Sequence, residues 1–167
     1  MKLFSANIED LRTLYIDSLK KALDMEQKIT KALPKMVEKT SDPELSSAFS
    51  NHLEQTRGHV TKVESLLRNA TGDASTTTCK VIGGLTTEAE DNIKDATDPG
   101  IRDIALIASA QQVEHHEIAV YGTLRTWAEI LGLNQDAAVL ESILTQEKEA
   151  DELLSSIADH VNMQKAA

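Results

Sequence analysis

Apolar residues in this chain recur at alternating steps of about four and three in four separate stretches, the spacing of helix faces that pack lengthwise against other helices. The first seam reads Leu11, Tyr15, Leu19, Ala22, Glu26, Ile29, Leu33 and Met36. The second reads Leu45, Phe49, His52, Thr56, His59, Val63 and Leu66. The third stretch carries two seams: Ile104, Ile107, Gln111, Glu114, Ile118, Tyr121, and beside it Leu106, Ala110, Val113, Glu117, Val120, Leu124, Trp127. A double seam predicts a helix buried on most sides. The last reads Leu140, Leu144, Glu147, Asp151, Leu154, Ala158 and Val161. This pattern predicts an all-α protein, a bundle of four long helices.

Boundary residues support four helices. Asn7 is the expected cap of the first, with Glu9 and Asp10 in its opening turn, and the helix runs to about Lys39 with a kink at Pro34. Asp42-Pro43-Glu44 reads as an N-cap, a proline at the first helical position and an acidic first turn. That second helix continues to about Asn69. Asp98-Pro99-Gly100 repeats the entrance for a third, ending near Gly132, and Asn134 opens a fourth that runs to about Met163. Residues 70–97 form a long crossover, in which a short fifth helix is expected from about Leu85 to Asp95, capped by Thr86 or Thr87. Two αα-hairpins joined by one crossover are the topology of the ferritin-like bundle.

The length of 167 residues suits a single domain spanning 1–167. Aromatics are only 3%, while Ala, Leu, Glu, Lys and Gln abound, which favours helix over strand. No run of about 18 apolar residues is present, so no membrane span is expected. The opening MKLFSANIEDLR has no signal-peptide core, and the single Cys79 rules out an intramolecular disulfide; both agree with a cytoplasmic protein. Lys and Arg total 17 against 27 Asp and Glu, a net charge of −10. Without a basic patch or arm, nucleic acid is not an expected partner.

The informative residues are polar ones inside the seams. Near the midpoint of every long helix the apolar pattern is interrupted by Glu26, by His52 and His59, by Glu114 and Glu117, or by Glu147 and Asp151. A buried carboxylate must be protonated, paired or bound to a cation. None of the seams contains Lys or Arg. Five carboxylates and two imidazoles at one level predict ligands for two metal ions, and oxygen-rich donor sets suit iron or manganese. A structural zinc would prefer Cys and His, and Cys79 lies in the crossover. His52 and His59 are two turns apart, about 10 Å along the axis, so one ion does not take both. Which of them ligates is open, since either can be a hydrogen-bonded core histidine. Glu117 reads equally as a ligand or as a partner of one. Tyr121 either hydrogen-bonds a ligand carboxylate or fills core. Glu54 lies opposite the second seam and reads as solvated.

The segments ALDMEQKITKALPKM, HLEQTRGHV, DIALIASAQQVEHHEIAVYGTLRTWAEILG and ILTQEKEADELL resemble the YciE/YciF family of ferritin-like proteins over nearly the whole chain. The resemblance implies kinship with rubrerythrins and other di-iron carboxylate proteins, a dimer, and a link to bacterial stress. It makes Glu26 and Glu114 the single carboxylates of the pseudo-repeated first and third helices. The chain departs from ferritin-like sites in having no Glu-x-x-His anywhere. It offers instead Glu147-x-x-x-Asp151, Glu114-x-x-Glu117, and His52 and His59 around Gln55, where relatives often have Glu.

The expected function is a stress-related oxidoreductase acting on peroxide or dioxygen, with two iron ions, or manganese or a mixed pair, held chiefly by Glu26, Glu114, Glu147 and Asp151. One cysteine cannot build a rubredoxin-like electron-transfer site, so the electron donor is external. The alternative is a non-catalytic stress protein with weak or structural metal binding, which Gln55 and the missing Glu-x-x-His favour. A homodimer is expected, because the second seam of the third helix, ending at Trp127, needs a cover beyond the crossover's Val81, Ile82 and Leu85.

Overall fold

The structure is a computed structural model that describes residues 8–166. Five helices follow one another: α1 (Leu11–Lys39), α2 (Pro43–Thr71), α3 (Lys80–Asp95), α4 (Pro99–Ile130) and α5 (Asn134–Ala166). α1 packs on α2, α2 on α5, α5 on α4 and α4 on α1, which closes a square bundle. α2 and α4, joined by the crossover, therefore stand diagonally opposed, and α3 lies outside against α1 and α4. This is the ferritin-like arrangement. No helix among the described residues is long and apolar enough to cross a membrane.

Local chemistry sets the helix ends. Asp10, rather than Asn7, caps α1; Asn7 lies outside the described residues. The Asp10 carboxylate accepts from Thr13 N at 2.8 Å, and Thr13 Oγ1 accepts from Asp10 N at 3.1 Å, a reciprocal capping box. Glu9 and Asp10 accordingly precede the helix. α1 runs on through Pro34 to Lys39. Asp42 accepts from Glu44 N and Leu45 N, and Asp98 from Ile101 N, each at 2.9 Å. Gly72 and Gly132 end α2 and α4 with φ of 85° and 72°, a conformation that costs a side-chain-bearing residue energy.

The crossover helix differs from its expected form. It starts at Lys80 instead of Leu85, and Thr86 and Thr87 are interior residues whose hydroxyls donate to Ile82 O and Gly83 O, both at 2.9 Å. Its opening turns contain two glycines, Gly83 and Gly84. Burying Ile82 completely in the core outweighs their unfavourable helix propensity. The preceding loop is pinned along α1: Thr77 Oγ1 donates to Asp17 at 3.2 Å, Cys79 N to Asp24 at 2.8 Å, and Lys28 Nζ to Cys79 O at 3.1 Å.

A buried Asp103 on α4 locks the α1–α2 turn. Its two oxygens accept from Ser41 N and Asp42 N, each at 2.9 Å. Asp103→Ala leaves both amides without their acceptor and is expected to cost roughly 2–4 kcal/mol of stability. Urea unfolding at constant metal content checks this; a loss below about 0.5 kcal/mol would show the turn is held by other contacts.

Candidate metal centre

Halfway along the bundle, six acidic or imidazole side chains from α1, α2, α4 and α5 meet in the core: Glu26, His52, His59, Glu114, Glu117 and Glu147, all buried. They form two overlapping sets. His52, Glu114, Glu117 and Glu147 bring one donor atom each within 4.8 Å of the others, and so do Glu26, His59 and Glu147. Glu147 belongs to both. Its Oε1 lies 2.9 Å from His59 Nδ1, while its Oε2 lies 3.9 Å from His52 Nε2. His52 Nε2 is 3.2 Å from Glu114 Oε1, and His59 Nδ1 is 3.7 Å from Glu26 Oε1. The two-turn separation of His52 and His59 thus assigns each to a different set.

The residues around these donors orient them. Tyr121 Oη donates to Glu26 Oε1, and Glu26 Oε2 has no partner. His59 Nε2 donates to Gln146 Oε1 at 2.9 Å, which directs Nδ1 toward the carboxylates. Gln146 sits one residue off the α5 seam, so periodicity gave no sign of it. Gln55 lies half-buried beside His52. Asp151 is one turn along α5 from Glu147 and outside both sets; its side chain is 19% exposed and pairs with His115 Nε2 at 3.3 Å. Glu54 is exposed, paired with Arg57.

The electrostatics are those of a site built for positive charge. Burial, then the charge of Glu147, drives Glu114 and Glu117 well above the usual carboxylate range. Burial likewise raises Glu26, against the lowering effect of His59. Burial lowers His52. For His59 burial also opposes the charged form, but Glu147 and Glu26 prevail and raise it to about 10. No lysine or arginine among the described residues pairs with any of the four glutamates; those in ion pairs face Asp17, Asp24, Glu38, Glu54, Glu64, Glu90, Glu129 and Glu141.

The unsatisfied polar atoms test whether a metal fits. Among the described residues, every buried side-chain nitrogen or oxygen without a hydrogen-bond partner belongs to these six side chains, apart from Arg125 Nε and Asp151 Oδ1. Buried polar atoms are ordinarily satisfied, so a concentration of exceptions at one level calls for a missing partner. Carboxylate oxygens and imidazole nitrogens, with no thiolate, are donors that could hold a metal ion.

The family profile described as "Domain of unknown function (DUF892)" matches residues 10–167. Protein YciF of Escherichia coli is 37% identical over 153 residues, covering 91% of this chain and 92% of that protein. The chain belongs to the YciF family. The crystal structure of the E. coli stress protein YciF superposes with a TM-score of 0.87 at 36% identity, covering 92% of this chain and 97% of that one. YcfI from Rhodopseudomonas palustris gives 0.88 at 37% identity, covering 92% and 98%. A Xanthomonas campestris protein at 23% identity, with a TM-score of 0.74, shares the fold. Within this YciF-family chain, the buried histidine–glutamate cluster is a group of side chains that could hold metal.

Proposed function

We propose that this YciF-family chain is a di-metal carboxylate protein whose centre serves a stress-related oxidoreductase reaction on peroxide or dioxygen. The observation that carries this reading is the sharing of Glu147 between two donor sets, with one oxygen toward each histidine. Glu26 and His59 would hold one ion, His52, Glu114 and Glu117 the other, and Glu147 both. Two iron ions, or manganese or a mixed pair, would supply the redox chemistry. The chain's part is to fix the donors within an apolar core: Tyr121 holds Glu26, Gln146 holds His59, and Leu19, Ile29, Leu140 and Leu154, about one to two turns away along α1 and α5, are buried. His59 must give up its Nδ1 proton to ligate. With one cysteine in the sequence, electrons would come from a separate donor.

Anaerobic reconstitution with ferrous iron is expected to give two ions per chain by elemental analysis. Well under one ion per chain would remove the di-metal reading. A second reading, a non-catalytic stress protein with structural metal, is favoured by the donor count: the set of Glu26, His59 and Glu147 has three members, with Asp151 standing outside. Metal-loaded protein that gains stability but consumes no peroxide or dioxygen in the presence of a reductant would select it.

The centre sits in a subunit that we propose to be dimeric. Between α1, the start of α3 and α4 lies a cleft of about 640 Å³, lined by Met25, Ala119, Val120, Leu124 and the half-buried Trp127, with Val81 54% exposed at its edge. A second copy would cover this apolar surface. Sedimentation at micromolar concentration is expected to show a dimer that Trp127→Ala weakens by about tenfold or more without loss of helix. A single species near 18.3 kDa would refute it.

A further inference from the structure

A cavity of about 290 Å³ reaches the metal centre from its α2–α5 side. Ile29, Leu33, Phe49, Ala110 and Leu154, all buried, form its deep walls, and His52 and Glu114 form part of its lining. Asn51, Glu149 and Leu153 are exposed and mark its rim, Leu153 at 43%. Small side chains keep it open: Ala32, Ala48, Ala110 and Ala150 come from four different helices.

Two observations separate this cavity from a packing defect. His52 and Glu114 are 7% and 3% exposed, and both His52 nitrogens and Glu114 Oε2 have no hydrogen-bond partner. The cavity is also about twice the roughly 150 Å³ that holds benzene in an apolar protein core. Apolar walls with a few polar groups at one place are the usual build of a small-molecule site. Its lining contains no lysine or arginine, and the exposed Glu149 places a negative charge at the rim, so it disfavours anions.

We propose that this cavity binds a neutral organic molecule, an apolar body of one ring with a short branch, whose single polar end lies at the His52–Glu114 end of the cavity, beside the ion those two side chains would hold. Hydrogen peroxide, small and strongly hydrated, has no need of such walls. The inference rests on the di-metal reading for the role of the polar end alone; the apolar body is held by the chain itself.

The probe is 2-phenyl-2-propanol, titrated into the metal-loaded full chain by calorimetry, with phenylacetate as an anion of matching size. The alcohol is expected to bind saturably, one per chain, and on the metal-free chain to give nuclear Overhauser contacts to Phe49 and Leu154, with phenylacetate binding that chain about tenfold or more weakly. Ala150→Leu and Ala32→Leu fill the cavity from opposite walls, and each is expected to cut binding by about tenfold or more. Absence of saturable binding, contacts elsewhere, or undiminished binding in a folded variant would overturn the site. Equal binding of phenylacetate would overturn the neutral class. Repeating the titration on metal-free protein separates the two ideas. A chain that takes up no metal yet binds the alcohol at Phe49 keeps the cavity and loses the di-metal centre. A chain that loads two ions and ignores the alcohol does the reverse.

Discussion

Glu147→Ala is expected to abolish metal binding at both positions, whereas Glu26→Ala loses one ion of the two. The difference follows from membership: Glu26 belongs to one donor set, Glu147 to both. Removing Glu147 leaves Glu26 and His59 as a two-donor remnant and strips one of four donors from the other set. Substituting even an outer hydrogen-bonding partner of a ligand lowers affinity by about 10–100-fold, and removing a shared ligand exceeds that at each position. Ferrous-reconstituted Glu147→Ala should therefore hold well under one ion per chain by elemental analysis. Asp151→Asn provides the control. The sequence places Asp151 beside Glu147 on the same face, but its side chain, 19% exposed, pairs through Oδ2 with His115 and lies outside both sets, so this variant should still load two ions. Glu147→Ala protein that keeps one tight ion would mean that the two sets do not share a ligand. Loss of an ion on replacing Asp151 would bring that residue into the centre.

What the sequence makes legible here is what repeats along a helix. The seams alone mark the buried faces of α1, α2, α4 and α5, because a polar residue at a seam position is carried toward the core. Glu26, His52, His59, Glu114, Glu117 and Glu147 are all visible in this way. Asp151 shows the limit: a seam position gives a direction around the helix, and a side chain one methylene shorter, one turn further along, reaches His115 instead. Gln146 shows another, since a long side chain just off the seam can reach His59 across the α2–α5 interface and no periodicity records it. Asp17, Asp24 and Asp103 look in sequence like ordinary acids on a solvated face. Their partners are backbone and side-chain donors of the crossover and the α1–α2 turn, brought there only by the tertiary fold. The start of α3 was hidden for a similar reason. Thr86 and Thr87 read locally as a cap, and the burial of Ile82 that favours an earlier start comes from packing on α1 and α4.

The same cluster that would hold metal should make the metal-free protein more stable in mild acid than at slightly alkaline pH. Burial raises Glu26, Glu114 and Glu117, so the folded state keeps protons that the unfolded chain, with carboxyl groups near about 4.3, has released. Wherever the folded state binds more protons, stability falls as pH rises, by about 1.4 kcal/mol per pH unit for each proton of difference. His59 acts in the same sense: raised to about 10, its stabilising contribution is complete below about 6.5 and is lost as pH climbs through 10. His52 acts in the opposite sense, since it stays neutral in the fold while the unfolded chain takes up a proton below about 6.5. One lowered imidazole does not offset three raised carboxyls and a raised imidazole. Urea unfolding in chelator should accordingly show a gain of about 2–4 kcal/mol between pH 7.5 and pH 5.5. Glu117 isolates the cause, being completely buried with neither oxygen hydrogen-bonded. Glu117→Gln keeps the shape of the neutral acid without its proton, so metal-free protein should gain about 1–3 kcal/mol at pH 7.5 and lose part of its pH slope. The metal-loaded form should move the other way, because an amide replaces an anionic donor and the ion contributes less to the folded state. A metal-free stability that is flat across this interval, or a Glu117→Gln substitution that destabilises both forms alike, would mean that burial does not hold these carboxyls protonated in the fold.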